Sequence, residues 1–495
     1  MPQLHIRGGV HPEGRKHTSD IAIRRVPTPD RLYLPLKQHI GAPAKAVIVP
    51  GELIVKDQII ATAQGSVSAH IHAPCSGHME DIVDWPAPHP SGLPTRMMVL
   101  VNDGKERRGD ISVPVNPLFL RPEIIADRVA KAGIVGLGGA TFPASVKLTL
   151  GQSRNTPILI INGCECEPYL TCDDRLMQDR SKAVIDGVKL FAQALFGAET
   201  IIAIEDNKSE AIRKMRAECK NLGNIKVMPV PTRYPMGSEK QLIEYITGRQ
   251  VPVGKLSADI GVMLHNVASA YAAGVAVRYG KPLTHRIITV AGEAVKRPGN
   301  YEVPIGMLIS DLLDFCGIEE EPARILMGGP MMGQALPHTN IPITKGCSGI
   351  LAMSKAEENS RREHPCIRCG SCVDACPIGL SPLSMAALLK KDKLDETVAI
   401  GLKDCILCGS CSFACPSAIP LVHYFNYGKG ELIDRSRQQS KDNEIKRLIL
   451  ERQVRMQRLE KEKEAMMVKR MAAIAKRKAA EAAKTAKNAE KETIT

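Results

Sequence analysis

Aromatic residues are the scarcest class in this 495-residue chain: seven Phe, nine Tyr and one Trp, 3% of the total. That is poor material for stacking nucleobases, so nucleic acid is not an expected partner. Long apolar runs are missing too. No uninterrupted stretch reaches the roughly 18 residues of a membrane span. The nearest, around residues 260–277, is broken by His265, Asn266 and Ser269. Residues 1–14 lack the apolar segment that a secretory leader needs, so no cleaved signal is expected. These absences lead to the expectation of a soluble or peripheral protein in a reducing compartment.

Two features are abundant instead. The first is positive charge. The formal net charge is +13, and residues 441–495 carry 16 Lys/Arg against 9 Asp/Glu. Such a tail suits an acidic partner or an anionic membrane surface. The second is cysteine. Fifteen are many for a chain without an export signal, where a disulfide framework is a poor explanation.

Eight of the fifteen fall in two copies of one pattern. Cys366, Cys369, Cys372 and Cys376 precede Pro377, and Cys405, Cys408, Cys411 and Cys415 precede Pro416. Each run is C-x2-C-x2-C-x3-C-P, the bacterial ferredoxin pattern, in which the fourth cysteine serves the other cluster. One [4Fe-4S] cluster is therefore expected on Cys366, Cys369, Cys372 and Cys415. A second is expected on Cys405, Cys408, Cys411 and Cys376. Gly370 and Gly409 permit the tight backbone. Structural zinc usually takes two C-x-x-C pairs on a longer loop, not a triple run ending in Cys-Pro.

Short β-branched strands with nearby Gly or Pro are expected over residues 47–51, 53–56, 58–61 and 70–73. Their order resembles the lipoyl/biotinyl barrel-sandwich modules. The hairpin matching the lipoylated tip, residues 63–66, has no lysine, which favours a structural adaptor over a swinging arm. Residues 122–279 alternate helix and strand, implying an α/β layer fold. Helices are expected at 123–132, 181–196, 208–221 and 238–246, with strands at 156–161, 200–204 and 225–230. Residues 285–340 return to strands and turns. Beyond residue 431 the chain is helix-prone, and its low-complexity end, 471–495, is expected to be frayed or disordered.

The run from Gly133 to Pro143 contains Gly136, Gly138, Gly139 and Phe142, and Lys147 follows. It comes after a helix and lacks the third glycine of a dinucleotide fingerprint. Taken alone it is either a structural turn or a cradle for a phosphate or a flat ring. The next strand ends in Asn162, Glu165, Glu167 and Pro168, with Asp173, Asp174 and Arg175 beyond, an acidic rim of the kind that binds ligands in open α/β sheets or a solvated loop. Cys164, Cys166 and Cys172 nearby match no metal-binding spacing. Tyr234, Gly237 and Glu239 open a later helix, and Asn266 and Val267 follow a later strand.

In this order the motifs resemble the NADH- and FMN-binding flavoprotein subunit of respiratory complex I. Gly136, Gly138, Gly139, Phe142, Pro143 and Lys147 match its glycine loop. Asn162, Glu165, Glu167 and Pro168 match its Asn-x-x-Glu-x-Glu-Pro, and Tyr234, Gly237 and Glu239 match its Tyr-x-x-Gly-Glu-Glu. Asn266 and Val267 match its Asn-Val-Glu-Thr. Residues 292–313 are similar to that family's β-grasp SLBB module. The departures are a shorter glycine loop, Ser238 in place of the first Glu of Gly-Glu-Glu, and a two-cluster ferredoxin module.

The whole arrangement resembles the RnfC (RsxC) family of Rnf/Rsx electron-transport complexes. The resemblance implies a multidomain α/β and β architecture. The expected modules are a barrel-sandwich over 1–115, an FMN/NADH α/β domain over 116–284, an SLBB module over 285–350, a ferredoxin-like module over 360–425, and a basic helical or disordered tail over 431–495. It further implies FMN and two [4Fe-4S] clusters as cofactors and NADH as substrate. The membrane subunits would be partners, at the cytoplasmic face of the bacterial inner membrane. Glu165, Glu167 and Glu239 would order the ribose or nicotinamide, and Lys147 would balance the flavin phosphate. Two alternatives stay open: a flavin/iron–sulfur subunit of another NAD-linked dehydrogenase or hydrogenase, and an adaptor with a vestigial flavin site.

Overall fold

The computed structural model describes residues 6–109, 113, 116–358 and 361–492. The chain divides into two compact units, Met1–Phe425 and Asn426–Thr495.

The barrel-sandwich consists of a four-stranded sheet, ordered Arg31–Pro35, Pro94–Asn102, Gly77–Pro86, Leu53–Ile54, and a three-stranded sheet of Lys45–Ala46, Ile59–Thr62 and Ile71–His72. Strand alternation fills its core: Leu32 and Leu34 point inward with Ile54, Ile60, Ile71, Met79 and Leu100. The expected strand at 47–51 is not formed. Pro50 has no donor, Gly51 takes φ +85°, and Val49 is left 64% exposed in a turn. Residues 6–30 lie outside the sandwich. Val10 pairs with Tyr234, the Gly9 N–H donates to the Ala375 carbonyl at 2.9 Å, and Arg24–Arg25 run parallel to Gly299–Pro304.

The α/β domain is a four-stranded parallel sheet, ordered Ile225–Val230, Glu199–Glu205, Ile158–Gly163, Val262–Asn266. Helices surround it: α1 (Pro122–Lys131), α2 (Ala144–Ser153), α3 (Cys172–Asp179), α4 (Ser181–Ala194), α5 (Ser209–Cys219), α6 (Glu239–Thr247) and α7 (Val267–Tyr279). The expected elements appear within a few residues of their predicted ends. Of the additional helices α2, α3 and α7, only α3 has a clear amphipathic period. In α7 small residues explain its absence: a Cβ on Gly187 of α4 would meet the Ala270 carbonyl at 1.8 Å, so the two backbones touch there.

The SLBB region contributes a six-stranded sheet in which His285–Ala291 lies between Gly299–Pro304 and Gly349–Met353. In the cysteine module, Gly370 and Gly409 cap matching short helices, Ser371–Asp374 and Ser410–Phe413, with φ +82° and +77°. The last helix runs from Leu421 to Glu492. It begins earlier than expected and continues into the segment expected to fray as far as Glu492; residues 493–495 lie outside the described residues. After Gly430 it has neither Gly nor Pro, and it is rich in Ala, Lys, Glu and Arg, the best helix formers. No helix among the described residues is long and apolar enough to cross a membrane.

Candidate functional site

Strand order locates the site. Ile158–Gly163 is flanked by the next strand in sequence on one side and by Val262–Asn266 on the other. The winding reverses between these neighbours, which opens a crevice at their carboxyl ends. Asn162 and Asn266 are register partners at that edge. The Asn266 carbonyl oxygen Oδ1 accepts from the Ala268 N–H at 2.8 Å, capping α7, while its Nδ2 donates to Asp173 at 2.7 Å. Asn162 Nδ2 donates to the Gly237 carbonyl at 2.8 Å and its Oδ1 accepts from the Cys164 N–H at 2.9 Å.

The glycine loop crosses this edge. It closes on itself through the Gly136 N–H to the Phe142 carbonyl at 2.8 Å, and it is pinned by the Leu137 N–H to Ser269 Oγ at 2.8 Å. Gly138, Gly139 and Ala140 are exposed. A Cβ on Gly138 would stand 3.2 Å from Asn266 Cβ, and Gly139 has φ +103° with open space beside it. Lys147 Nζ, on α2, donates to Glu239 at 3.0 Å and to the Leu264 carbonyl at 3.1 Å, and Ser257 Oγ donates to the other Glu239 oxygen at 2.7 Å. The N-termini of α2, α6 and α7 therefore gather around one exposed glycine surface, and helix N-termini favour anionic groups. This surface fits a flat phosphorylated ring.

Three residues expected at the nucleotide have other partners. The Glu165 carboxylate accepts from the Asp173 and Asp174 N–H groups at 2.9 and 3.2 Å and so caps α3. Glu167 accepts from the Met331 and Met332 N–H groups at 3.0 and 2.8 Å, and burial pushes its carboxyl up to about 7. The Tyr234 hydroxyl donates to the Cys408 carbonyl at 2.7 Å, facing the cysteine module. Each side chain is turned by a backbone group close enough to satisfy it.

The cysteines line two small cavities. One is bounded by Cys376, Cys405, Cys408 and Cys411, the other by Cys366, Cys369, Cys372 and Cys415. Each thus takes three thiols from one run and the fourth from the other. Among the described residues no three His, Cys, Asp or Glu side chains gather tightly enough for a single metal ion. Thiols spread around a cavity suit a cubane, whereas zinc draws its sulfurs to about 2.3 Å from one point. The first cavity lies against the α/β domain: Cys408 packs with Cys166 and Tyr234, and Gln241 of α6 donates to the Pro377 carbonyl at 3.1 Å. At the second, Cys366 and Cys369 are exposed.

Comparison with known proteins decides the family. Residues 4–105 match the RnfC barrel sandwich hybrid domain, 129–274 the Nuo51 FMN-binding domain, 287–335 the SLBB domain and 365–419 the 4Fe-4S dicluster domain. The C subunit of an ion-translocating oxidoreductase complex from Rhodobacter capsulatus is 47% identical over 438 residues, 88% of this chain and 84% of the relative. The chain belongs to the RnfC family of ion-translocating oxidoreductase complexes. The C subunit of a proton-translocating ferredoxin:NAD(+) oxidoreductase complex from Clostridium ljungdahlii is 43% identical, covering 86% of this chain and 93% of the relative. The Pseudomonas aeruginosa relative, from an ion-translocating oxidoreductase complex, is 41% identical over 94% of this chain and 60% of its own length. Among solved structures, an NAD+-reducing [NiFe]-hydrogenase in the air-oxidized state aligns at TM-score 0.44 and 20% identity, covering 58% of this chain and 57% of that one.

As a member of the RnfC family, the protein is an electron-transfer component of an oxidoreductase complex, with FMN and iron–sulfur clusters as cofactors and the other subunits as partners. Asp173 of the acidic rim is held above the usual carboxylate range by burial and by nearby Glu165. Two lysines of the site carried no sequence signal. Lys16 Nζ donates to the carbonyls of Glu165, Glu167 and Leu170 at 2.7, 2.7 and 2.6 Å, fixing the acidic loop from a segment 149 residues away in sequence. Lys208 pairs with buried Glu205 beneath the same loop.

Proposed function

We propose that this protein exchanges electrons between NADH and the membrane subunits through FMN and two [4Fe-4S] clusters. It would act peripherally at the cytoplasmic face of the inner membrane, coupled to ion movement and ferredoxin redox chemistry. The observation that carries this reading is a juxtaposition. The exposed glycine surface at the sheet crevice and the inner cysteine cavity belong to one packed body, linked through Tyr234 and Gln241.

FMN, when bound, takes up a hydride's electron pair and releases electrons singly, matching NADH to one-electron cubanes. Gly136, Gly138 and Gly139 clear the backbone for the ring, and Phe142 closes the loop that holds them. Asn162, Asn266 and Gly237 shape the crevice floor. Lys147 supplies a positive charge for the phosphate, and Glu239 both balances that charge and faces the nucleotide side. Glu165, Glu167 and Tyr234 act as positioning residues rather than as contacts to the nucleotide. One set of thiols is Cys376, Cys405, Cys408 and Cys411; the other is Cys366, Cys369, Cys372 and Cys415.

The test is anaerobic purification of the full chain. The expected preparation is yellow, releases FMN on denaturation, and has its flavin bleached by NADH. Protein with intact clusters but no releasable flavin would instead support the adaptor with a vestigial site.

A further inference from the structure

The C-terminal helix carries a face that electron transfer does not use. At 100° per residue, Ile445, Leu448, Met456, Leu459, Met467 and Ile474 fall within one sector about 100° wide. All six are exposed, none by less than 44%. The charged residues that interrupt the sector are Arg452, Lys463 and Arg470, all basic, and no carboxylate falls inside it. Between residues 445 and 474 there are nine Lys/Arg against four Glu.

Two covers for such a face differ in what they demand. A coiled-coil partner needs a continuous seam every 3.5 residues. The best such register, positions 445, 449, 452, 456, 459, 463, 466 and 470, reads Ile, Ile, Arg, Met, Leu, Lys, Met, Arg, and its three breaks are all cationic, which would set like charges against each other in a seam between copies. A lipid surface needs only a straight stripe at 3.6 residues per turn with cationic flanks. It also tolerates Arg or Lys within the stripe, because their long stems lie along the apolar boundary while the charge reaches a headgroup.

We propose that residues 445–474 form an in-plane helix on an anionic lipid surface. The apolar sector would face the acyl boundary, and Arg452, Lys463 and Arg470 would reach lipid phosphates. The segment spans about 45 Å at 1.5 Å per residue. The proposal rests on the peripheral placement argued above, but its readout needs no NADH and no cofactor turnover.

The experiment is co-sedimentation of the full chain with vesicles of phosphatidylcholine alone, or of phosphatidylcholine and phosphatidylglycerol at about 7:3. Binding is expected to the mixed vesicles, at least about tenfold tighter than to neutral ones, and to weaken with salt. The triple variant Leu448→Gln, Leu459→Gln, Met467→Gln keeps the charge and should lose binding by about tenfold or more. NADH oxidation measured on the same preparations should be equal for both proteins. Three results overturn the proposal: unchanged binding by the triple variant, which leaves a merely electrostatic tail; no binding by the parent chain to either vesicle; or lipid-free self-association, by sedimentation velocity, that the triple variant abolishes, which makes the face a contact between copies. A failure of NADH oxidation with normal vesicle binding would count against the proposed function alone.

Discussion

Glu167 links chemistry to position at the scale of one side chain. Its carboxyl, raised to about 7 by burial, keeps its proton more tightly in the folded chain than in the unfolded one, where the ordinary value is 4.5. Its contribution to stability is therefore fully present below pH about 4.5 and is lost as pH rises through about 7, by up to about 3 kcal/mol. Melting temperature measured against pH should fall across that window, and Glu167→Gln should flatten the fall. An equal slope in the variant would remove Glu167 from the account. Lys147→Ala is expected to cost flavin retention and spare iron content, since a charge-assisted contact is worth roughly 1.5–3 kcal/mol. Flavin stoichiometry after gel filtration checks it, and an unchanged ratio contradicts the phosphate role. The asparagines and glycines of this site were legible because their motif order is specific. Lys16 was not: its three carbonyl acceptors come together only when the N-terminal segment folds across the acidic loop. No local pattern encodes that contact.

Among the elements, the cysteine runs were the most readable. Their spacing alone predicts crossed thiol sets, and the two cavities are lined by those same sets. Cys415→Ser should thus damage the cluster of Cys366, Cys369 and Cys372, because serine offers a harder, poorer ligand. Low-temperature EPR of the reduced protein should lose or alter one [4Fe-4S] signal, and Cys376→Ser should affect the other. If Cys415→Ser and Cys405→Ser altered the same signal, ligation would be sequential. The helices α2 and α7 were less readable. Their burial is set by close neighbours, α7 against α4 through Gly187 and Gly274, and α2 at Gly151, where a Cβ would meet Leu195 at 2.5 Å, so no polar face marks a period. The tail was read in part: its Lys/Glu/Ala/Arg-rich composition marked it as helix-prone, and the helix runs on to Glu492 through most of the low-complexity end expected to fray.

Over the whole molecule, module identity and order were written in the sequence, while the joints were not. Residues 6–25 tie three modules together, through Val10 to Tyr234, Gly9 to Ala375, and Arg24–Arg25 to the SLBB sheet. Such contacts depend on tertiary geometry rather than on periodicity. The Tyr234 hydroxyl is the joint closest to function, since its acceptor is the carbonyl of Cys408. Tyr234→Phe removes one hydrogen bond, about 1 kcal/mol. It is expected to slow NADH-dependent reduction of the clusters while flavin bleaching keeps its rate. Equal slowing of both would assign Tyr234 to the nucleotide site instead. The most direct test of electron exchange through flavin and clusters is to mix the anaerobic full-length protein with NADH and follow flavin absorbance alongside freeze-quenched EPR. The account predicts that the flavin bleaches and reduced [4Fe-4S] signals follow, and that flavin-depleted protein shows neither until FMN is restored. Clusters reduced by NADH equally well without flavin, or a bleached flavin beside clusters that stay oxidised, would contradict it.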